Sequence, residues 1–269
     1  MKKSVDFRNL EWSEWFPITE RKLPPQLANE SGIYQVRRAG QGNSDYVGQT
    51  NCLRRRILSL RVSLKDEEMP WSDPHVASAR FWALLQEKED ELEASVAFVA
   101  DNPVIRKSYE SLTIAHHRKK FGCSPTLNFG RLPRGWVASS QRSKGKRGYF
   151  DPRIVYSEHA APRFLTESEP REIGWLGLAW EVVESGSNGG KGAGVYRAVE
   201  KDSKENLYIG ESSQVFNRIR LHRNIKGAEW QWVETSDLDH SQRLEIENDL
   251  IASSISSTGH PPPYQFQNT

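Results

Sequence analysis

Little in this sequence could cross-link or anchor the chain. Among 269 residues there are two cysteines, Cys52 and Cys123, with no spacing that suits a disulfide framework or a zinc site. They read as ordinary reduced thiols. No apolar run approaches the roughly 18 residues of a membrane-spanning helix, and the opening MKKSVDFRNLEW lacks the apolar core of a signal peptide. A cytoplasmic protein without a membrane partner is the expectation. No Walker A loop occurs, so no nucleotide cofactor is expected. Neither sign of charge dominates: 37 Lys+Arg against 35 Asp+Glu leave a formal +2. Any affinity for nucleic acid must therefore come from local clustering. No recognition helix is readable, so no target sequence follows.

What is present is a surface-rich composition, 27% charged and 36% hydrophobic with a mean hydropathy of −0.70, in a length that allows one large domain or two small ones. A duplication favours two. Gly32-Ile33-Tyr34, a turn cluster of Gly, Asn, Ser and Asp, and Tyr46-Val47-Gly48 form a hairpin pattern, and Asn51 ahead of Leu53 is a candidate N-cap for a helix bearing Arg56. Gly194-Val195-Tyr196, Tyr208-Ile209-Gly210 and Arg218 repeat it. The tyrosines are 12 residues apart in both places, and each arginine follows its glycine by 8. A helical segment with a glutamate follows each, around Glu110 and Glu247. Asn128 and Gln265 then stand 18 residues further on, in proline-marked segments. Matching offsets at this many points define an internal repeat.

At these residues both halves resemble GIY-YIG nuclease domains, a family that includes intron homing endonucleases, some restriction enzymes and the incision domain of bacterial nucleotide-excision repair. The resemblance implies an α/β fold of the α+β type, with two tandem modules, each a small, mostly antiparallel sheet flanked by helices. It makes Tyr34, Tyr46, Arg56, Glu110 and Asn128 the site of the first copy, and Tyr196, Tyr208, Arg218, His222 and Glu247 that of the second. Glu110 and Glu247 would each hold one Mg2+ or Mn2+. The first tyrosine of each set is the candidate general base, the second orients water or phosphate, and an asparagine closes the core.

These residue types suit phosphodiester hydrolysis. A hard cation on a carboxylate acts as a Lewis acid, and a planar guanidinium matches phosphate oxygens. A free tyrosine near pKa 10 is ionised only about once in a thousand at pH 7, so a neighbouring cation must help it. Many family members carry a lysine just after the second glycine; here the positions hold Gln49 and Glu211, and a carboxylate there opposes tyrosine ionisation. Four residues past the arginine, where members carry histidine or tyrosine, the copies hold Leu60 and His222. The terminal asparagine becomes Gln265 in the second copy. Both copies are expected to bind metal and DNA and at least one to cut, the first copy being the better candidate.

The first module is expected over residues 8–132, with an insertion at about 62–103, a basic connector over 133–171, and the second module over 172–269. The tryptophan-rich segments Leu10 to Glu20 and Trp175 to Glu184 precede the two signatures; their aromatics either fill cores or stack on bases. Within the insertion, Val76 to Leu85 has a helical pattern, Glu87 to Glu93 is a charge run and Ala94 to Ala100 reads as a buried strand. Tyr109 to Lys120 is an amphipathic helix with a basic end, favourable for the helix itself or available to phosphate through His117, Arg118 or Lys120. Arg54, Arg55, Lys119, Lys120, Arg142, Lys144, Lys146 and Arg147 are the candidate DNA contacts. The last four lie in the connector, which is either a solvated linker or a basic arm on the duplex.

The function expected is a metal-dependent endonuclease of restriction or phage-defence type on double-stranded DNA, as a monomer or homodimer. A DNA-positioning protein with one or both copies silent, or an RNA-directed nuclease, are the alternatives.

Overall fold

Two four-stranded antiparallel sheets carry the two signatures, and their strand orders are the same. In the computed structural model the described residues are 10–19, 24, 27, 29–73, 76–87, 90–164, 174–184, 192–222 and 224–267. The elements in chain order are β1 (Phe16–Pro17), β2 (Gly32–Arg38), β3 (Tyr46–Thr50), α1 (Leu53–Ser63), α2 (Val76–Glu87), β4 (Leu92–Phe98) and α3 (Pro103–Phe121). They continue with β5 (Trp136–Val137), β6 (Tyr149–Phe150), β7 (Glu181–Val182), β8 (Gly194–Val199), β9 (Asn206–Ser212), α4 (Val215–Leu221), β10 (Glu229–Glu234) and α5 (His240–Thr258). The sheets run β1-β4-β2-β3 and β7-β10-β8-β9, and β5 pairs with β6. Every pairing is antiparallel. The fold is of the α+β type.

The described residues divide into two compact units, residues 10–106 with 125–157, and residues 107–124 with 158–267. The division falls after the first turn of α3, so the rest of that helix groups with the second sheet. Residues 133–157, expected as a connector, carry the β5–β6 hairpin and group with the first sheet. The expected module starts near residues 8 and 172 lie outside the described residues, as do 88 and 89 of the charge run and 165–171 of the connector.

Each unit closes its core with the faces that the alternation in its strands dictates. In the first, Ile18, Tyr34, Val36, Ile57, Leu60, Phe81 and Val96 pack together, and a satellite cluster forms around Met69, Trp82 and Leu132. In the second, Leu112, Trp175, Val195, Ile209, Ile246, Leu250 and Ile255 do so. Burying each such side chain is worth about 1.5–3 kcal/mol. Trp175 is fully buried, so this tryptophan serves the core. β1 and β7, from the tryptophan-rich segments, are the edge strands of their sheets.

The repeat extends to close packing. A Cβ on Gly32 would collide with the carbonyl oxygen of Ala97 in β4, and one on Gly194 with that of Val233 in β10. β4 and β10 therefore occupy the same place, although β4 lies in the stretch expected as an insertion. α2 is what the first copy adds.

α3 and α5 are both 19 residues long, and their glutamates stand at the eighth position of each. Asn102 caps α3 through the amides of Val104 and Ile105 at 2.9 and 3.2 Å, with Pro103 at the first helical position. Asp239 and Gln242 form a capping box on α5, which ends at Gly259 with φ 77°. α1 departs from expectation: Cys52, not Asn51, is its N-cap residue, and the Asn51 side chain accepts from Arg55 at 2.9 Å instead.

Candidate active site

In the second unit, Tyr196 on β8 lies opposite Gly210 on β9. A Cβ on Gly210 would stand 2.7 Å from the Tyr196 hydroxyl and 2.9 Å from Cε1 of Tyr208. The glycine is thus the space through which the two phenols meet. Their ring centroids are 6.0 Å apart at 37°. The Tyr196 hydroxyl is 3.0 Å from Nε2 of His222, and the Tyr208 ring is 4.4 Å from that imidazole. Trp230 of β10 stacks on His222 at 5.7 Å and 28°. α4 stops at Leu221, and His222 is its C-cap residue, with non-helical backbone angles. This early stop turns the imidazole toward Tyr196.

Arg218, the fourth residue of α4, hydrogen-bonds both phenols. Its charge and these bonds lower the tyrosine pKa values only in part. Burial, and then Tyr208, hold Tyr196 well above the usual 10. Burial, and then the charge of Glu247, raise Tyr208. Burial, and then Arg218, push His222 below 6.5, so the imidazole is neutral at pH 7. Glu247 of α5 is pushed up to about 8 by burial and then by the Glu211 carboxylate, against the Glu211 backbone amide and Arg218. Five sequence-predicted residues, Tyr196, Tyr208, Arg218, His222 and Glu247, thus act on one another in this unit.

The first unit repeats the tyrosine geometry: Tyr34 lies opposite Gly48, the rings of Tyr34 and Tyr46 are 5.9 Å apart at 37°, and a Cβ on Gly48 would stand 2.7 Å from both phenyl groups. Arg56 is half-buried at the fourth position of α1. Leu60, at the place of His222, stays inside the longer α1 and is fully buried in the core. Glu110 lies on the part of α3 that groups with the second sheet. The residue after it, Ser111, donates to Asn248, the residue after Glu247, at 2.7 Å, and Asn248 donates back to the Ser111 carbonyl at 3.1 Å.

The closing residues do the same work in both copies. Asn128 accepts from the Val47 amide and donates to its carbonyl, both at 2.9 Å, and Gln265 accepts from the Ile209 amide at 3.0 Å. Each holds the residue between tyrosine and glycine of the second signature strand. The next residues, Phe129 and Phe266, both take left-handed φ, 55° and 62°, a costly conformation for a bulky side chain. One pair escaped the sequence reading. Arg106 donates to Gln49 at 3.0 Å and Arg243 to Glu211 at 3.1 Å. Both arginines stand four residues before their glutamate, which is the signal that could have found them.

The candidate DNA contacts divide. Arg54, Arg55, Lys119 and Lys120 are exposed. Arg118 is instead fully buried, paired with Asp249 at 2.9 Å and Glu245 at 3.0 Å, and His117 is buried; neither side chain is open to a phosphate. Arg142, Lys144, Lys146 and Arg147 are exposed on the β5–β6 hairpin, and Arg142 and Arg147 line a cleft with Asp66, Glu67, Glu68 and Asp73. Arg147 pairs with Glu68 at 3.3 Å and lies 4.4 Å over Trp71, and the Arg142 amide donates to Asp73 at 2.8 Å.

Among the described residues no group of three or more His, Cys, Asp or Glu side chains is placed to hold a metal. Glu247 with the nearby Glu211 suits a cation that keeps most of its water, as Mg2+ does. Burial and then the Glu211 carboxylate disfavour the charged form of Glu247, Arg218 offsets this only in part, and a bound cation would favour that form. Glu211 is itself held by Arg243 and by His240 at 3.3 Å, so of the two carboxylates Glu247 is the one that would be open to a cation. No family model matches the chain, and neither a curated protein nor a solved structure matches it.

Proposed function

We propose that this protein is a divalent-metal-dependent endonuclease of the GIY-YIG type, of restriction or defence kind, acting on double-stranded DNA through the second copy. The observation that carries the reading is the 3.0 Å contact between the Tyr196 hydroxyl and neutral His222 Nε2, beside a guanidinium that bonds both phenols.

Tyr196 is too strongly raised to be a phenolate in the resting site, so it works as a relay. Its hydroxyl takes the proton of an attacking water as its own proton passes to Nε2 of His222, with Nδ1 carrying the other hydrogen. Arg218 holds the phenol oxygens while negative charge grows on the phosphate, and a guanidinium has donors for both. Tyr208 keeps the Tyr196 oxygen in line. Glu247 would hold Mg2+ or Mn2+, which supplies Lewis-acid stabilisation of the phosphate and leaving oxygen. Lys119 and Lys120, in the same unit as this site, supply phosphate contacts, and Arg54 and Arg55 would do so in the first unit.

Supercoiled plasmid with magnesium tests this. Tyr196→Phe, His222→Ala, Arg218→Ala and Glu247→Gln should each slow cleavage at least about a hundredfold while circular dichroism stays native. Native rates in all four would refute the assignment. Cleavage of RNA duplex with DNA left intact would move the substrate class.

A further inference from the structure

α2 brings the first unit a cation that the second signature lacks. Arg80 on α2 donates from Nη1 to the Leu127 carbonyl at 2.8 Å. The Leu127 amide bonds the Asp45 carbonyl at 2.8 Å, and Asn128 beside it clamps Val47. The loop that fixes β3 therefore also fixes Arg80 next to Tyr46, and Phe81 adds an edge-on contact to the Tyr46 ring at 5.8 Å. The half-buried guanidinium lies in electrostatic range of Tyr46, Tyr156 and Tyr34. Tyr156 commits its hydroxyl hydrogen to the Trp136 carbonyl at 2.7 Å.

No carboxylate among the described residues pairs with Arg80. A guanidinium has five N–H donors, and Leu127 takes one of them. A cation partly removed from water without an anion is costly, and burial holds the Arg80 pKa below its ordinary 12.5. A phosphate oxyanion would supply the missing charge and accept two parallel bonds. At the place of the proton acceptor His222 the first copy has Leu60, sealed in the core.

We propose that Arg80 and the Tyr34–Tyr46 pair form a site that holds a backbone phosphate of the nucleic acid without cutting it. Naming a phosphodiester as the ligand rests on the nuclease reading; the oxyanion site does not. The test uses the full chain carrying Glu247→Gln, so that substrate survives. Calorimetric titration with inorganic phosphate at constant ionic strength should show binding that Arg80→Gln abolishes. Anisotropy of a labelled DNA duplex should show Arg80→Gln weakening affinity about tenfold and lowering the salt slope by about 0.9, the value of one phosphate contact. Arg80→Lys, which keeps the charge, should keep the slope; if Arg80→Gln fails to fold, this variant decides, and a lysine variant with a lowered slope overturns the proposal. Unchanged phosphate and duplex binding in Arg80→Gln overturns it too. Phosphate binding through Arg80 without duplex affinity would sink the nuclease reading and leave the oxyanion site standing.

Discussion

At the scale of single residues, the site depends on what is missing from Gly210 as much as on the tyrosines. A methyl there would stand within 3 Å of both rings (2.7 Å from the Tyr196 hydroxyl and 2.9 Å from Tyr208), inside any van der Waals contact. Gly210→Ala must push at least one phenol off His222 or Arg218, and plasmid cleavage should fall by about tenfold or more, since misplacement of about 1 Å can cost a hundredfold. An unchanged rate would place the chemistry elsewhere. Glu247 offers a separate test in pH. Its carboxyl titrates at about 8 in the folded chain against an ordinary 4.5, so the folded state binds the proton more tightly. The group's contribution to stability is full below about pH 4.5 and is lost as pH rises through about 8. In EDTA the melting temperature should fall between pH 5 and 9 more steeply than in Glu247→Gln, and magnesium should reverse the fall. Parallel curves for the two proteins would remove the buried, uncompensated carboxyl. The pairs Tyr196–Tyr208 and Arg218–Glu247 could be read from spacing, because the repeat fixes who accompanies whom. Arg80 could not, because its partners Leu127 and Tyr46 come from distant parts of the chain and no repeat marks it.

At the scale of elements, helix ends and strand clamps decide what the signatures can do. His222 meets Tyr196 because α4 ends one residue earlier, whereas α1 runs on to Ser63 and buries Leu60. Sequence spacing put both residues one turn past an arginine and gave no sign of this difference in length. Arg118 makes the same point. It reads as part of a basic helix end, yet it is fully buried among Asp249, Glu245, the Ser124 hydroxyl and the Ala160 carbonyl; the carboxylates that claim it are more than a hundred residues away in sequence. Arg118→Met should cost about 3–5 kcal/mol in urea denaturation, the cost of leaving buried carboxylates without their cation. A loss below 1 kcal/mol would mean that the network is open to water. The clamps can be compared directly. Asn128 makes two bonds to Val47 where Gln265 makes one to Ile209, and a buried bond removed from one side costs about 1–3 kcal/mol. Asn128→Ala should therefore destabilise its unit more than Gln265→Ala does its own, and equal losses in urea unfolding would deny the second bond.

At the scale of the whole molecule, the duplication was the most legible feature, because matched offsets survive even where residues change. What it concealed was divergence of side chains inside a shared fold: the β4–β10 equivalence lay inside an apparent insertion, and a histidine stands beside the tyrosines in one copy and a core leucine at that place in the other. If the second copy alone cuts, each chain breaks one strand per encounter, and a double-strand break needs a second chain or a second visit. With supercoiled plasmid in excess, nicked circles should accumulate first and linear product should rise with protein concentration. Glu247→Ala should abolish nicking, while Glu110→Ala should leave the nicking rate within about twofold, since a residue serving binding affects affinity before chemistry. If Glu110→Ala and Glu247→Ala instead both keep nicking and lose only linear product, each copy cuts one strand. The first copy would then be a second cleavage centre, and Arg80 would belong to its catalytic apparatus rather than to a holding site.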